Sequence, residues 1–289
     1  MDTIVLKSPI KAVILAGGFG TRIGEESHLR PKPMIEIGGM PILWHIMKWC
    51  SHYDVNDFII CCGYKGYFIK EYFADYYLHR SDVTFDFTAK NKMIIHNNVA
   101  EPWKVTVIDT SLSTQTGGRI KRVKKYVEGE RFFMTYGDGV SDVALPELIE
   151  THEKSGKTVT LTAIQPGGRF GVLDINERDG TITGFHEKAK EDGAWINAGF
   201  MLMEPEVFCY IDDDDTIFER VPLQKLSAHG KLGVFKHHGF WSSWIQRGTK
   251  ESLKRLGQMV VPSGKYGASN LSGGFLITGS SRHTFELAH

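Results

Sequence analysis

Two cationic side chains follow a glycine-rich turn early in this 289-residue sequence: Leu15-Ala16-Gly17-Gly18-Phe19-Gly20-Thr21-Arg22, then Arg30-Pro31-Lys32-Pro33-Met34. The apolar run Ala12–Ala16 ahead of the turn reads as a buried parallel strand. Glycines that end a strand can take positive φ and close backbone N–H groups on an anion. With Arg22 and Lys32 supplying charge, strand and turn form a triphosphate cradle over Leu15, Ala16, Gly17, Gly18, Phe19, Gly20 and Thr21. Two common phosphate motifs fit less well. A Walker loop needs Gly-Lys-Ser/Thr where Gly20 is followed by Thr21-Arg22. A dinucleotide fingerprint needs a third glycine where Thr21, Arg22 and Ile23 stand.

An acid of matching chemistry comes later. Phe132–Tyr136 reads as a buried strand, and Gly137-Asp138-Gly139 follows at its carboxyl end, where open α/β sheets bind ligands. Flanked by glycines, Asp138 is unshielded and can ligate Mg²⁺, which takes oxygen ligands and keeps waters or phosphates as well. Taken alone it would read as a turn cap. Beside a phosphate cradle it reads as a metal ligand. The reaction this set suits is nucleotidyl transfer: a sugar-phosphate oxygen attacks the α-phosphorus of a nucleoside triphosphate, and pyrophosphate leaves. Two anions must meet, so cations and placement matter more than covalent chemistry. Arg22 is expected to hold the leaving phosphates and Lys32 to neutralise the α-phosphate region. Asp138 is expected to hold the Mg²⁺ that polarises the phosphoryl oxygens.

The elements that must position these groups alternate. A helix is predicted over Pro41–Tyr53, a buried strand over Phe58–Cys62, and an aromatic-rich helix over Lys65–His79. Short strands follow at Val83–Phe87 and Met93–His96 around a turn, then a strand at Val105–Asp109, a polar loop at Thr110–Gly118 and a basic helix at Arg119–Val127. Leu145–Ser155 reads as a helix and Thr158–Ile164 as a strand. The order βαβα predicts an α/β fold: a Rossmann-like, mixed but mostly parallel sheet with helices on both faces. No linker divides the chain. Residues 1–10 read as an N-terminal extension, 11–241 as one catalytic domain, and 242–289 as a divergent tail expected to pack poorly.

Composition excludes several classes. Lys plus Arg and Asp plus Glu each number 34, so neither nucleic acid nor an anionic membrane is an expected partner. No apolar run is long enough to span a membrane, and Met1–Pro9 lacks a signal-peptide core, which points to the cytoplasm. Cys50, Cys61, Cys62 and Cys209 form no C-x-x-C and read as free thiols.

The sugar half is expected beyond Gln165. Pro166-Gly167-Gly168-Arg169-Phe170-Gly171 is a glycine-rich turn, and Glu187-Lys188 and Asn197 follow. Glu187 can accept from sugar hydroxyls, Lys188 can meet the sugar phosphate as a point charge, and Asn197 offers donor and acceptor. His237-His238 read as structural or sugar-contacting, since adjacent strand residues face opposite ways. Asp212–Asp215 reads as a solvated acidic turn.

The pattern L-x-G-G-x-G-T-R with P-K-P downstream resembles the sugar-1-phosphate nucleotidyltransferases. Further marks are Ala100-Glu101-Pro102-Trp103-Lys104-Val105, Thr116-Gly117-Gly118-Arg119, Tyr136–Val140, Arg169-Phe170-Gly171 and His237-His238-Gly239-Phe240-Trp241. With these the chain resembles, from Lys11 to Trp241, the glucose-1-phosphate cytidylyltransferase family. The resemblance implies CTP and glucose 1-phosphate as substrates, Mg²⁺ at Asp138, and CDP-glucose for surface-polysaccharide dideoxysugars as product. It also implies Thr114 and Arg119 near the cytosine, Gly137 at the nucleotide, and Gly171, Glu187, Lys188 and Asn197 at the sugar. A homo-oligomer, commonly a hexamer, is implied too. Base choice does not follow from the residues, so UTP or dTTP stays an alternative.

After Trp241 the resemblance stops. The family continues Trp-Gln-x-Met-Asp-Thr-x-Arg-Asp-Lys, and its Asp is a second magnesium ligand. Ile245 stands in that place. Trp244 is encoded by TGG and Ile245 by a codon beginning AT, so the frame one base earlier must read GAT, an aspartate. With allowed codons that frame runs MDTKRDKGVFEEAWANGSALWKVWSE and meets a stop across Ser269-Asn270. One base lost just after the Trp241 codon turns TGG CAG TTC ATG into TGG AGT TCA TGG, which is Trp241-Ser242-Ser243-Trp244. The chain as written is therefore expected to be an enzyme of this family with its metal binding and turnover weakened, a disabled nucleotide-binding remnant being the alternative.

Overall fold

The computed structural model describes residues 10–18, 30–89, 91–127, 129–165, 172–175, 182–186 and 195–243. β1 (Lys11–Ala16) is the spine, buried on both sides. Ala12, Ile14 and Ala16 pack into one core and Val13 and Leu15 into the other, as expected of a central parallel strand. The small strands β2 (Glu36–Ile37) and β3 (Met40–Pro41) lead into helix α1 (Ile42–His52), which lays Ile42, Leu43, Ile46 and Met47 on the first core. β4 (Asp57–Cys62) runs parallel to β1.

The aromatic-rich helix predicted at Lys65–His79 is two helices, α2 (Tyr67–Ala74) and α3 (Tyr76–His79), separated at Asp75. An antiparallel ribbon of β5 (Ser81–Asp86) and β6 (Lys92–Asn98) follows as a separate sheet, its turn held by the Asp86 carboxylate accepting from Thr88 and Ala89. The segment returning from this ribbon carries Glu101. Its carboxylate, 6% exposed, accepts from Lys48 Nζ at 2.9 Å and from the Tyr76 hydroxyl, with Arg80 Nη2 at 3.7 Å. One buried acid thus ties α1 and α3 to the base of the ribbon. β7 (Lys104–Asp109) then pairs with β4.

The polar stretch predicted as loop from Thr110 to Gly118 is shorter than expected. Helix α4 (Thr116–Arg122) begins inside it, and α5 (Lys124–Val127) follows where one basic helix was predicted. Gly117 and Gly118 look like loop signals, but their role is close approach. A Cβ on Gly117 would lie 2.6 Å from the Thr216 carbonyl oxygen, and one on Gly118 would lie 2.5 Å from Asp214 Cα.

β8 (Phe132–Tyr136) runs parallel to β1 on its other side. Next come the short β9 (Gly139–Ser141), helix α6 (Leu145–Ser155), β10 (Val159–Ile164) and the small hairpin of β11 (Val172–Ile175) and β12 (Ile182–His186). β13 (Ile196–Met203), α7 (Val221–Ala228), β14 (Leu232–His237) and β15 (Trp241–Ser243) complete the described chain. The main sheet has the order β14-β10-β13-β8-β1-β4-β7. Only β13 runs against its neighbours. The first core packs α1 and α6 on one face, and α4, α5 and α7 supply Ile120, Val127 and Leu226 to the other. This is the mixed, mostly parallel sheet with helices on both faces that the sequence predicts.

Candidate active site

Of the expected site residues that are described, Leu15, Gly17, Lys32, Gly137 and Asp138 meet at the carboxyl ends of β1 and β8. Leu15 pairs with Tyr136 across the two strands, and Gly137 N–H donates to the Leu15 carbonyl at 2.9 Å. Gly17 therefore leaves the sheet beside Gly137-Asp138. Opposite them, Pro31 and Pro33 frame a short 3₁₀ turn, Lys32–Met34. Pro33 lies so close that a Cβ on Gly137 would be 2.9 Å from its Cγ. The turn thereby brings Lys32 Nζ to 3.9 Å from Asp138 Oδ2, with the two side chains 15% and 27% exposed. That separation gives attraction without a hydrogen bond. Burial raises the Asp138 carboxyl above its ordinary value, and Lys32 opposes the shift without cancelling it.

Such a carboxylate suits a divalent cation. Among the described residues no group of three or more His, Cys, Asp or Glu could hold a metal. One carboxylate supplies few of a divalent cation's oxygens, so a cation at Asp138 would take others from phosphates and water.

Arg119 sits beneath the turn. Its guanidinium donates to the Gly17 carbonyl at 2.9 Å, to the Cys62 carbonyl at 3.1 Å and to the Thr110 hydroxyl. Thr110 donates in turn to Cys62 O at 2.5 Å. This packing dictates two glycines. A Cβ on Gly17 would lie 2.1 Å from Arg119 Nη1, and one on Gly63 would lie 2.7 Å from Gly17 O. Arg119 is only 5% exposed. The structure places it under the phosphate loop, joining the ends of β1 and β4 to the loop after β7. Thr114, in that loop, buries a hydroxyl with no hydrogen-bond partner among the described residues. Buried polar atoms are nearly always satisfied, so a ligand atom is a fitting partner. Cys61 and Cys62 are buried behind the loop, and burial pushes the Cys62 thiol up to about 12, which leaves it inert.

Asn197 is the second residue of β13, and its Oδ1 accepts from Gly199 N–H at 2.9 Å. Tyr136, which the sequence offers as the first residue of the mark Tyr136–Val140 without a role of its own, pairs with Leu15. Its position directly before Gly137-Asp138 was the available signal. His237 is engaged structurally, with Nε2 at 2.8 Å from Asp142 Oδ1, and His238 lies edge-on to Trp195. Asp142 also accepts from Phe240 N–H at 2.7 Å, and Trp241 Nε1 donates to Ala198 O at 2.8 Å. These contacts hold β15 against β9 with Trp241 opposite Ser141, Ser242 opposite Val140 and Ser243 opposite Gly139.

The acidic turn at Asp212–Asp215 does more than the solvated turn expected. Asp214 pairs with Arg122 at 2.5 Å, and its carbonyl accepts from Gln115 N–H at 2.8 Å. Phe19, Gly20, Thr21, Arg22, Gly171, Glu187, Lys188 and Ile245 lie outside the described residues.

Residues 11–253 match the nucleotidyl transferase family model. A glucose-1-phosphate cytidylyltransferase of Salmonella typhimurium is 56% identical over 233 residues, covering 80% of this chain and 90% of that protein. One of Salmonella typhi matches to the same extent. Among solved structures, HddC from Yersinia pseudotuberculosis superposes with a TM-score of 0.62 at 24% identity, covering 86% of this chain and 99% of that one.

Proposed function

The chain belongs to the nucleotidyl transferase family and, within it, to the glucose-1-phosphate cytidylyltransferases, and from that premise we propose that its site is built to join CTP and glucose 1-phosphate into CDP-glucose and pyrophosphate. The observation that carries this reading is the facing pair Lys32 and Asp138 beside Gly17 and Gly137. Gly17 and Gly18 offer backbone N–H groups to the triphosphate, and Arg119 keeps the Gly17 carbonyl turned away from it. Lys32 stands where negative charge grows on the α-phosphate, and its cation stabilises that charge without having to reorganise. Arg22 is assigned to the leaving phosphates. Thr114 and Arg119 are assigned to the cytosine end. Gly171, Glu187, Lys188 and Asn197 are assigned to the sugar, with Lys188 meeting its phosphate. Asp138 would hold Mg²⁺, whose chemistry when bound is to polarise phosphoryl oxygens and draw the two anions together. Delivery of the product to surface-polysaccharide dideoxysugars, and a cytoplasmic location, belong to the same reading. Among the described residues no helix is long and apolar enough to cross a membrane.

Base choice is the finer part of the proposal. CTP at a fixed millimolar concentration with Mg²⁺ is expected to raise the melting temperature of this chain more than UTP or dTTP does. Equal shifts from all three would leave the nucleotidyl transferase site and remove the preference for cytosine.

We further read the chain as disabled at its second acid. The β15–β9 register steps toward Asp138, reaching Gly139 at Ser243. In a frame-restored chain continuing that ladder, the aspartate would arrive two residues later, beside Asp138.

A homo-oligomer is the last part of the proposal, and the β5–β6 ribbon is the surface assigned to it. Phe85 is 55% and Phe87 79% exposed, with Met93, Ile94 and Ile95 exposed alongside. A projecting apolar ribbon of this kind is suited to burial against a copy of itself. Light scattering is expected to give a multiple of the chain mass, and the double change Phe85→Asp and Phe87→Asp to give the monomer. An assembly unaffected by that change would place the interface elsewhere.

A further inference from the structure

We propose that Glu219 is a positioning residue that couples the nucleotide side of the site to its sugar side by holding Tyr136 and Thr116 at once. The proposal rests on the reading above and adds to it a residue far from every sequence motif. Glu219 Oε1 accepts from the Tyr136 hydroxyl, and Oε2 accepts from the Thr116 hydroxyl at 2.6 Å. Thr116 Oγ1 accepts in turn from Phe218 N–H at 2.9 Å, so the residue preceding the acid is tied to the same hydroxyl.

Each partner leads to a different half of the site. Thr116 opens α4, the helix whose Arg119 reaches back to the Gly17 carbonyl at 2.9 Å. Tyr136 pairs with Leu15 on one side. On the other its ring lies over Gly199, where a Cβ would be 2.3 Å from the ring and φ is +85°. Gly199 N–H in turn donates to Asn197 Oδ1 at 2.9 Å, so the residue under the ring is tied to Asn197. The connected order is Arg119 and Thr116, Glu219, Tyr136, Gly199, Asn197.

Glu219 is exposed, and an acid this near a site for two anions repels them unless it does something in return. What it does is fix the phenol. Charge-assisted hydrogen bonds are about twice as strong as neutral ones, so a carboxylate suits that task. The turn carrying it is anchored independently: Gln115 N–H donates to Asp214 O at 2.8 Å, Gly117 N–H to Thr216 O at 2.9 Å, and Arg122 pairs with Asp214. Losing the Glu219 carboxylate should therefore leave the turn in place and release Tyr136, with Asn197 losing its fixed neighbour. The nucleotide end, held through Arg119 and Gly17, should barely notice.

The test is calorimetric binding of CDP and CDP-glucose, both with Mg²⁺, to the full chain and its variants. Glu219→Ala is expected to weaken CDP-glucose by about tenfold, one charge-assisted hydrogen bond's worth, and CDP by less than about twofold. Glu219→Gln keeps an acceptor and should recover most of the loss. Tyr136→Phe should reproduce the part of the Glu219→Ala loss that runs through the phenol, and the double variant should fall short of the sum of the two, because they share that interaction. Equal weakening of CDP and CDP-glucose, no weakening, or additive losses would overturn the coupling. An unsubstituted chain that prefers UDP and UDP-glucose would instead overturn the cytosine reading, and the Glu219 comparison would then be read on that pair.

Discussion

Asp138→Asn is expected to cut CDP-glucose formation by the frame-restored chain about 10²- to 10³-fold while raising the melting temperature of the metal-free protein. The first effect follows from position. Asp138 is the carboxylate opposite Lys32 at the carboxyl end of β8, and removing a ligand of the cation that would meet the reacting phosphates has consequences of that order. The second follows from burial. The Asp138 carboxyl is raised above its ordinary value of 3.8, burial being the larger cause and Lys32 the smaller opposing one. The folded state thus binds this proton more tightly than the unfolded chain does. Stability is lost as pH rises from 3.8 through the raised folded value. Asn carries no charge and escapes it. Calorimetry should show the variant melting higher at pH 7, with the gap closing toward pH 4, and with none of the stabilisation that Mg²⁺ and CTP together give the parent. A lower melting temperature at neutral pH would mean that the Lys32 attraction outweighs burial.

The other large effect concerns the end of the chain. Restoring one base after the Trp241 codon is expected to raise turnover by about 10²-fold or more, through tighter Mg²⁺ binding and a better-placed α-phosphate. Ile245 has no oxygen to offer a cation. The aspartate of the restored frame would stand next in line on a ladder already running from Ser141 to Gly139 toward Asp138. The anchors of that ladder, His237 and Phe240 on Asp142 and Trp241 on Ala198, all precede the break and are present in this chain. The half-site is therefore intact up to Ser243. The added carboxylate would also bring a second negative charge beside Asp138, which disfavours both being ionised without a cation. Metal dependence should thus be steeper in the restored chain, with half-maximal rate reached at a lower Mg²⁺ concentration.

Legibility in the sequence followed how local each signal was. β1, β4 and β8 announce themselves as apolar runs because they are buried on both faces, and α6 was read to its end residues since its caps and periodicity are local. Lys32 and Asp138 were found because each stands beside glycine or proline in a compact motif. Gly117 and Gly118 misled because glycine signals a loop when only the chain's own neighbours are considered. Here they admit the backbone of Asp214 and Thr216, far away in sequence. Arg119 was noticed as a motif residue, but its place beneath Gly17 depends on Gly63 and Thr110, which carry no motif. Tyr136 and Glu219 were given no role for the same reason. One looks like the last residue of an apolar strand and the other like a surface acid, and only the fold brings them together. Glu101 was quoted in a motif, but its buried pairing with Lys48, Tyr76 and Arg80 is set by three separate elements.

The most direct measurement is the initial rate of CDP-glucose formation from CTP, glucose 1-phosphate and Mg²⁺ by two purified proteins, the chain as written and the chain with the missing base restored. Turnover by the restored chain, with the chain as written slower by about 10²-fold or more, is the expected result. Similar rates from both would contradict it: Asp138 would then suffice as the sole carboxylate, and the change after Trp241 would have cost the site nothing.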